Sequence, residues 1–190
     1  MGRIEGRPLR ADARRNRDKI LSTAVVMFAR DGLDATLDRI AKEAGVGPAT
    51  LYRNFPTREA LIEAAYRSEL RKLCEASAEL LDTLPPAQAL RAWMGRFIDY
   101  ANAKIGMADA LRALIDSGVN PYDHTREMML TSVTSLLEAG GADGSVRRDV
   151  SASDVVASLT GIAIASGKPP QLDLAERLLD LLMDGLVASR

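Results

Sequence analysis

Apolar residues recur at spacings of three and four along almost every long segment of this chain, and that periodicity leaves few folds open. β-Branched residues are scattered and aromatic residues make up only 4%, so little in the sequence supports a strand. The chain is predicted to be all-α. In the first helix, over residues 12–30, Ile20, Leu21, Ala24, Val25 and Phe28 form one stripe, with Arg14, Arg15, Arg17 and Lys19 near its start. Gly32 is placed to end it.

Glycines and prolines punctuate the chain beyond Gly32. Thr36 is suited to cap a short second helix with Leu37, Ile40, Ala41 and Ala44 on one face, closed by the turn Gly45, Val46 and Gly47. A third helix starts at Pro48, because the first helical position tolerates a missing N–H, and Pro56 bars its continuation. Thr57 caps a fourth that runs to about residue 82, where "TLPP" breaks it. Longer helices are expected over 87–104, 107–117 and, from an Asn120 cap and Pro121, 121–139. The segment "GGADGSVRRD" is expected to be a loop before two last helices, 152–166 and 172–188, making about nine in all. Residues 4–7, "IEGR", look like a protease-cleavable linker, so residues 1–11 are set aside as a tag remnant or disordered arm.

Composition excludes several roles. The 190 residues, 47% hydrophobic, can bury a core, but no run approaches the roughly 18 apolar residues needed to span a bilayer, and the start has no apolar signal segment. No membrane partner and a cytoplasmic location are expected. The one cysteine, Cys74, is read as a reduced small hydrophobe. The lone histidine, His124, has no neighbouring cysteine or second histidine, so no metal and no cofactor are expected. P-loop, dinucleotide, nucleophile-elbow and zincin patterns are all missing, and "ADGSVRRD" lacks the acidic spacing of a calcium loop. The chain is not expected to be an enzyme. Its net charge of −1 conceals a sorting: residues 1–73 hold 15 Lys and Arg against 10 Asp and Glu, and the remainder 10 against 16. A basic first third suits a polyanion.

Two short helices joined by a glycine turn and braced by longer ones form a helix-turn-helix, whose second helix enters the DNA major groove. If Leu51 and Phe55 face the support, Ala49 and Arg53 point outward, with Thr50, Tyr52 and Asn54 beside them. That face is small, polar and cationic. Arg53 can pair bidentately with guanine, Pro48 and Ala49 can meet a thymine methyl, and Thr50 or Tyr52 can donate to phosphate. Thr36, Gly47 and Asn54 complete the predicted DNA-binding set.

The residues Thr36, Ile40, Ala41, Ala44, Gly45, Val46, Thr50, Leu51, Tyr52, Phe55, Arg58, Glu59 and Leu61 resemble the DNA-binding domain of the TetR/AcrR transcriptional repressors. The resemblance covers roughly residues 15–66; Gly47 stands where serine is common, Asn54 where histidine or tyrosine is common, and Arg58, which still offers a cation for phosphate, where lysine is usual. It implies a helix-turn-helix head over residues 12–56 and a helical body over 57–190 that dimerises and binds a small-molecule effector. A repressor binding a palindromic operator on double-stranded DNA as a homodimer is therefore expected, associated with the bacterial nucleoid when bound. The alternative is a helical small-molecule-binding protein whose helix-turn-helix has lost DNA recognition.

Within the body, the last helix is also family-like. Leu174, Leu178, Leu181, Leu182 and Gly185 form a stripe on it, and the small Ala157 and Gly161 lie on the helix before, a pattern suited to a four-helix dimer interface or to covering the chain's own core. Candidate walls for an apolar or aromatic effector are Trp93, Phe97, Tyr100, Leu111, Ile115, Met128, Met129 and Val133, although helical spacing accounts for each as core equally well.

Overall fold

The computed structural model describes residues 6–167 and 171–188, with side chains from residue 12 onward. The described elements are helices α1 (Gly6–Asp31), α2 (Leu37–Glu43), α3 (Pro48–Asn54), α4 (Arg58–Thr83), α5 (Pro86–Gly106), α6 (Ala108–Asp116), α7 (Thr125–Asp143), α8 (Ala152–Ala165) and α9 (Leu172–Leu186), with a 3₁₀ turn at Gly32–Asp34. The protein is all-α, as its periodicity dictates. Helix α1 starts earlier than expected: residues 6–11, assigned to an arm, are helical, because Pro8 sits in the first turn, where an N–H would go unpaired. Residues 1–5 of that arm lie outside the described residues.

Contacts divide the described chain into two compact units, one running up to Ser68 and including Ala103–Pro121, the other comprising Glu69–Asn102 and the chain from Tyr122 onward. The sequence boundary at residues 56–57 does not coincide with this division. In the first unit the buried side chains include Ile20, Leu21, Ala24, Met27 and Phe28 of α1, Ile40 and Ala41 of α2, Leu51 of α3, Phe55 just beyond it, Leu61, Ile62 and Tyr66 of α4, and Leu111 and Leu114 of α6. Each large apolar side chain so buried contributes about 1.5–3 kcal/mol of transfer free energy. Gly106 ends α5 against α1, where an added Cβ would lie 2.7 Å from Ala29 Cβ.

The second unit is built around Trp93. Its ring is fully buried, and its indole N–H donates to the Leu73 carbonyl at 2.9 Å, so the polar edge of a large apolar side chain is satisfied. Phe97 and Tyr100 follow along α5, with ring centroids at successive separations of 6.0 and 6.1 Å. Helices α7, α8 and α9 pack in sequence, burying Val133, Leu136, Val155, Leu159, Ala163, Leu179 and Met183.

Two expectations fail here for local reasons. Helix α7 starts at Thr125 and not at Pro121, since the chain first turns through residues 121–124 and His124 adopts a left-handed conformation, φ 58°, that a helix cannot include. The glycines of "GGADG" do not open a loop. Gly140 and Gly141 continue α7 because the chain after Gly144, φ 76°, folds back onto them. Val146 N–H donates to the Gly140 carbonyl at 3.0 Å, Arg148 Nε to that of Gly141 at 2.7 Å, and a Cβ on Gly140 would lie 2.4 Å from Val146 Cγ2. Val146 also forms an isolated antiparallel bridge with Val187, tying the return to the end of α9.

Candidate nucleic-acid interface

The side chain of Thr36 accepts the Arg39 N–H at 3.4 Å and so caps α2, whose Ile40 and Ala41 are buried. Gly45, at φ 67°, closes α2: its N–H reaches the Lys42 carbonyl at 3.1 Å, and that of Val46 reaches Ala41 at 3.0 Å. An added Cβ at Gly45 would meet nothing, so the glycine is required by backbone conformation and not by space. Gly47 takes the cap position of α3 with no side-chain hydrogen bond, and Pro48 follows at the start of the helix.

Leu51 and Phe55 face inward as expected, while Gly47, Pro48, Ala49, Tyr52 and Arg53 are exposed and Thr50 and Asn54 are half-buried. The Arg17 guanidinium lies 4.6 Å from the Phe55 ring centroid, holding α1 against the end of α3. The Tyr52 hydroxyl donates to Asp38 Oδ1 at 3.2 Å, which couples α3 to α2 and engages the one proton this phenol has to give. Desolvation, then the Asp38 carboxylate, raises the Tyr52 phenol above its ordinary range. The Asn54 amide nitrogen donates back to the Thr50 carbonyl at 2.8 Å, leaving its carbonyl oxygen as an acceptor.

The cations of this unit divide into tied and untied. Asp31 receives Arg30 at 2.7 and 3.0 Å and Arg39 at 2.9 Å, and the Arg30 hydrogen bond is the main reason its carboxyl is held below the usual range. Arg15 pairs with Asp12. Arg58, expected to hold a phosphate, is turned inward: its guanidinium donates to the carbonyls of Ala35, Gly32 and Leu33 and lies over the Phe28 ring. Arg14, Lys19, Lys42 and Arg53 are exposed and form no ion pair among the described residues. Asp38 and Lys42, one turn apart on the open side of α2, were missed, although the positions of Leu37, Ile40 and Ala41 already place them opposite the core.

The predicted effector walls are divided between the two units. Trp93, Phe97, Tyr100, Met129 and Val133 are buried in the second unit, whereas Leu111 and Ile115 belong to the first, with Ile115 45% exposed. Met128, 38% exposed, lines a cleft of about 520 Å³ between α4 and α7 with Arg71, Cys74, Glu75 and Ser132 among its walls. Helical spacing identifies a buried stripe but cannot say which unit buries it. Cys74 is half-buried, and burial pushes its thiol above the ordinary range. His124 faces Glu127 at 3.2 Å.

None of the residues of the stripe predicted for dimerisation is fully buried. Ala157, Gly161, Leu181 and Gly185 are exposed, Leu174, Leu178 and Leu182 half-buried, and a Cβ added to Gly161 or Gly185 would meet nothing within 4 Å. Ile164 of α8 is 71% exposed and Leu181 of α9 67% exposed.

Comparison with known proteins places this geometry. Residues 20–65 match the family model described as bacterial regulatory proteins, tetR family, and residues 85–188 that of the transcriptional regulator SbtR-like C-terminal domain. The HTH-type transcriptional repressor KstR2 of Mycolicibacterium smegmatis is 32% identical over 141 residues, covering 70% of this chain and 69% of its own. The crystal structure of the TetR transcriptional regulator SCO0520 from Streptomyces coelicolor is 57% identical with a TM-score of 0.88, covering 92% of this chain and 99% of its own. That of the TetR transcription regulatory protein from Mycobacterium vanbaalenii is 33% identical with a TM-score of 0.78, over 95% of this chain and 100% of its own.

Proposed function

Because the chain belongs to the TetR family of DNA-binding transcriptional regulators, we propose that it is a ligand-responsive repressor that grips a palindromic operator as a homodimer. One observation carries the DNA-reading part: α3 buries Leu51 against its support and turns Pro48, Ala49, Tyr52 and Arg53 outward, Arg53 with no ion pair among the described residues. In this reading Arg53 reads a base, Pro48 and Ala49 meet thymine methyl groups, and Thr50, Asn54, Gly47 and Thr36 line the approach to the duplex. Tyr52 reaches a phosphate only by releasing or sharing its bond to Asp38.

The head comprises residues 12–56 and the body residues 57–190. Two copies meet through the open faces of α8 and α9, and a small apolar or aromatic effector enters the body near Trp93, Phe97, Tyr100 and Met129. Such an effector releases DNA only if it binds one body shape better than another, since equal affinity for both shifts nothing. Among the described residues no helix is long and apolar enough to cross a membrane, and the proposed workplace is the cytoplasm, on nucleoid DNA.

The repressor reading is tested by fluorescence anisotropy with a labelled duplex from the region upstream of the chain's own gene, at low and moderate salt. The operator duplex should bind more tightly than a scrambled duplex at both. Equal affinity for the two would favour a ligand-binding protein whose helix-turn-helix has lost recognition.

A further inference from the structure

We propose that Arg58 is a positioning residue of the DNA-binding head: its guanidinium locks the turn between α1 and α2, and through α2 sets where α3 meets the duplex, without itself touching DNA. This rests on the DNA-binding reading above. Arg58 is the first residue of α4, where a cation is on the unfavourable end of that helix's dipole, so its place there calls for another partner. The partner is the chain that leaves α1. Arg58 Nη2 donates to the Leu33 carbonyl at 2.9 Å and to that of Gly32 at 3.2 Å, and Nη1 donates to the Ala35 carbonyl. The guanidinium carbon lies 5.2 Å from the Phe28 ring centroid, over a side chain that is 1% exposed.

Gly32 and Leu33 lie in the 3₁₀ turn that follows α1 and Ala35 caps that turn, a helix end whose carbonyls favour a cation. A planar fork can bond several of them at once while stacking on an aromatic face; a lysine ammonium is a compact point charge and cannot reproduce that arrangement. The turn then determines α2. Ala35 is fully buried, Thr36 directly after it caps α2, and α2 packs against α3 and is tied to it by the Asp38–Tyr52 bond. A shift of the 32–35 turn therefore moves the outer face of α3 as a block.

The test uses the full-length chain, its Arg58→Lys and Arg58→Gln variants, and a duplex selected by the unmodified chain from a random-sequence pool, with a scrambled duplex as control. At a temperature where circular dichroism shows each variant fully helical, both should lose about tenfold to hundredfold in affinity for the selected duplex, the scale of one misplaced base contact. Both should also lose preference over the scrambled duplex while keeping the unmodified salt slope. A phosphate anchor behaves otherwise: Arg58→Lys would retain binding, and Arg58→Gln would lower the slope by about 0.9 per head with no change in preference. Either that pattern or a lowered melting temperature with affinity and preference intact would overturn the proposal. If neither variant folds, ¹⁵N-arginine spectra of the unmodified chain decide, with the Arg58 guanidinium assigned through its contact with the Phe28 ring. Its protons should be protected from exchange and unmoved when duplex is added; a shift on binding overturns the proposal. Failure of the unmodified chain to prefer any duplex would instead sink the DNA-binding reading, whatever the Arg58 signals show.

Discussion

Arg53 and Arg58 lie five residues apart in the sequence, and their surroundings give them opposite tasks. Arg53 is exposed with no ion pair among the described residues, so its fork is open to a base edge. Replacing it by alanine should cost about 1–3 kcal/mol per base contact and relax preference at one base pair in each half-site, as read from binding to single-substitution duplexes. Uniform weakening on operator and scrambled DNA would remove the base-reading role. Its outward direction was legible from the spacing of Leu51 and Phe55. The inward direction of Arg58 was not, because its acceptors lie 23 to 26 residues earlier and are backbone carbonyls, which a pattern of side chains does not reveal. Asp31 supplies a second prediction at this scale. Its carboxyl is depressed chiefly by Arg30, so the folded state gains stability above the unfolded carboxylate range and loses it as pH falls through the lower folded value. Asp31→Asn should therefore lower the melting temperature at pH 7, and the deficit should shrink on acidification below about pH 4. A deficit that does not change with pH would contradict the pairing.

At the scale of elements, glycine has two uses, and the sequence does not distinguish them. Gly45 is needed for its positive φ, and its place at the end of α2 was legible from the apolar face that stops there. Gly140 is needed for lack of a side chain, since Val146 packs onto it, and this contact exists only after the chain has turned back at Gly144. Residues 140–143 of the expected loop are in consequence the last turn of α7, and the chain leaves the helix only from Gly144 onward. Gly140→Ala should destabilise the protein by about 1–3 kcal/mol through overpacking, measured by urea unfolding. Adding Val146→Ala should recover part of that loss, with a coupling of about 0.5 kcal/mol or more; strict additivity would show that the two side chains do not compete for the same space. The helices bounded by Pro48, Pro56 and the Thr57 cap fell where expected, because proline and capping chemistry act locally.

For the whole molecule, the sequence distinguished a basic first third from an acidic remainder but could not say which unit holds each proposed effector wall, since residues one turn apart on a helix share a face and not necessarily a neighbour. Leu111 and Ile115 belong to one unit and Trp93 to the other. For the proposed dimer surface, Gly161, Leu181 and Gly185 are exposed while Leu174, Leu178 and Leu182 are half-buried. Leu181 gives the clean test: it is already 67% exposed, so Leu181→Asp should leave the helical content of the single chain intact. Across a twofold axis the same change buries two unpaired carboxylates, and sedimentation should then report monomer. An unchanged dimer would move the interface elsewhere. The central claim, a twofold protein whose two α3 helices read DNA, is tested most directly by letting the unmodified chain select duplexes from a random-sequence pool. The account predicts a recovered palindrome with half-site centres about 34–36 Å apart, or a multiple of that spacing. Recovery of no consensus, or of an unrepeated half-site, would contradict it.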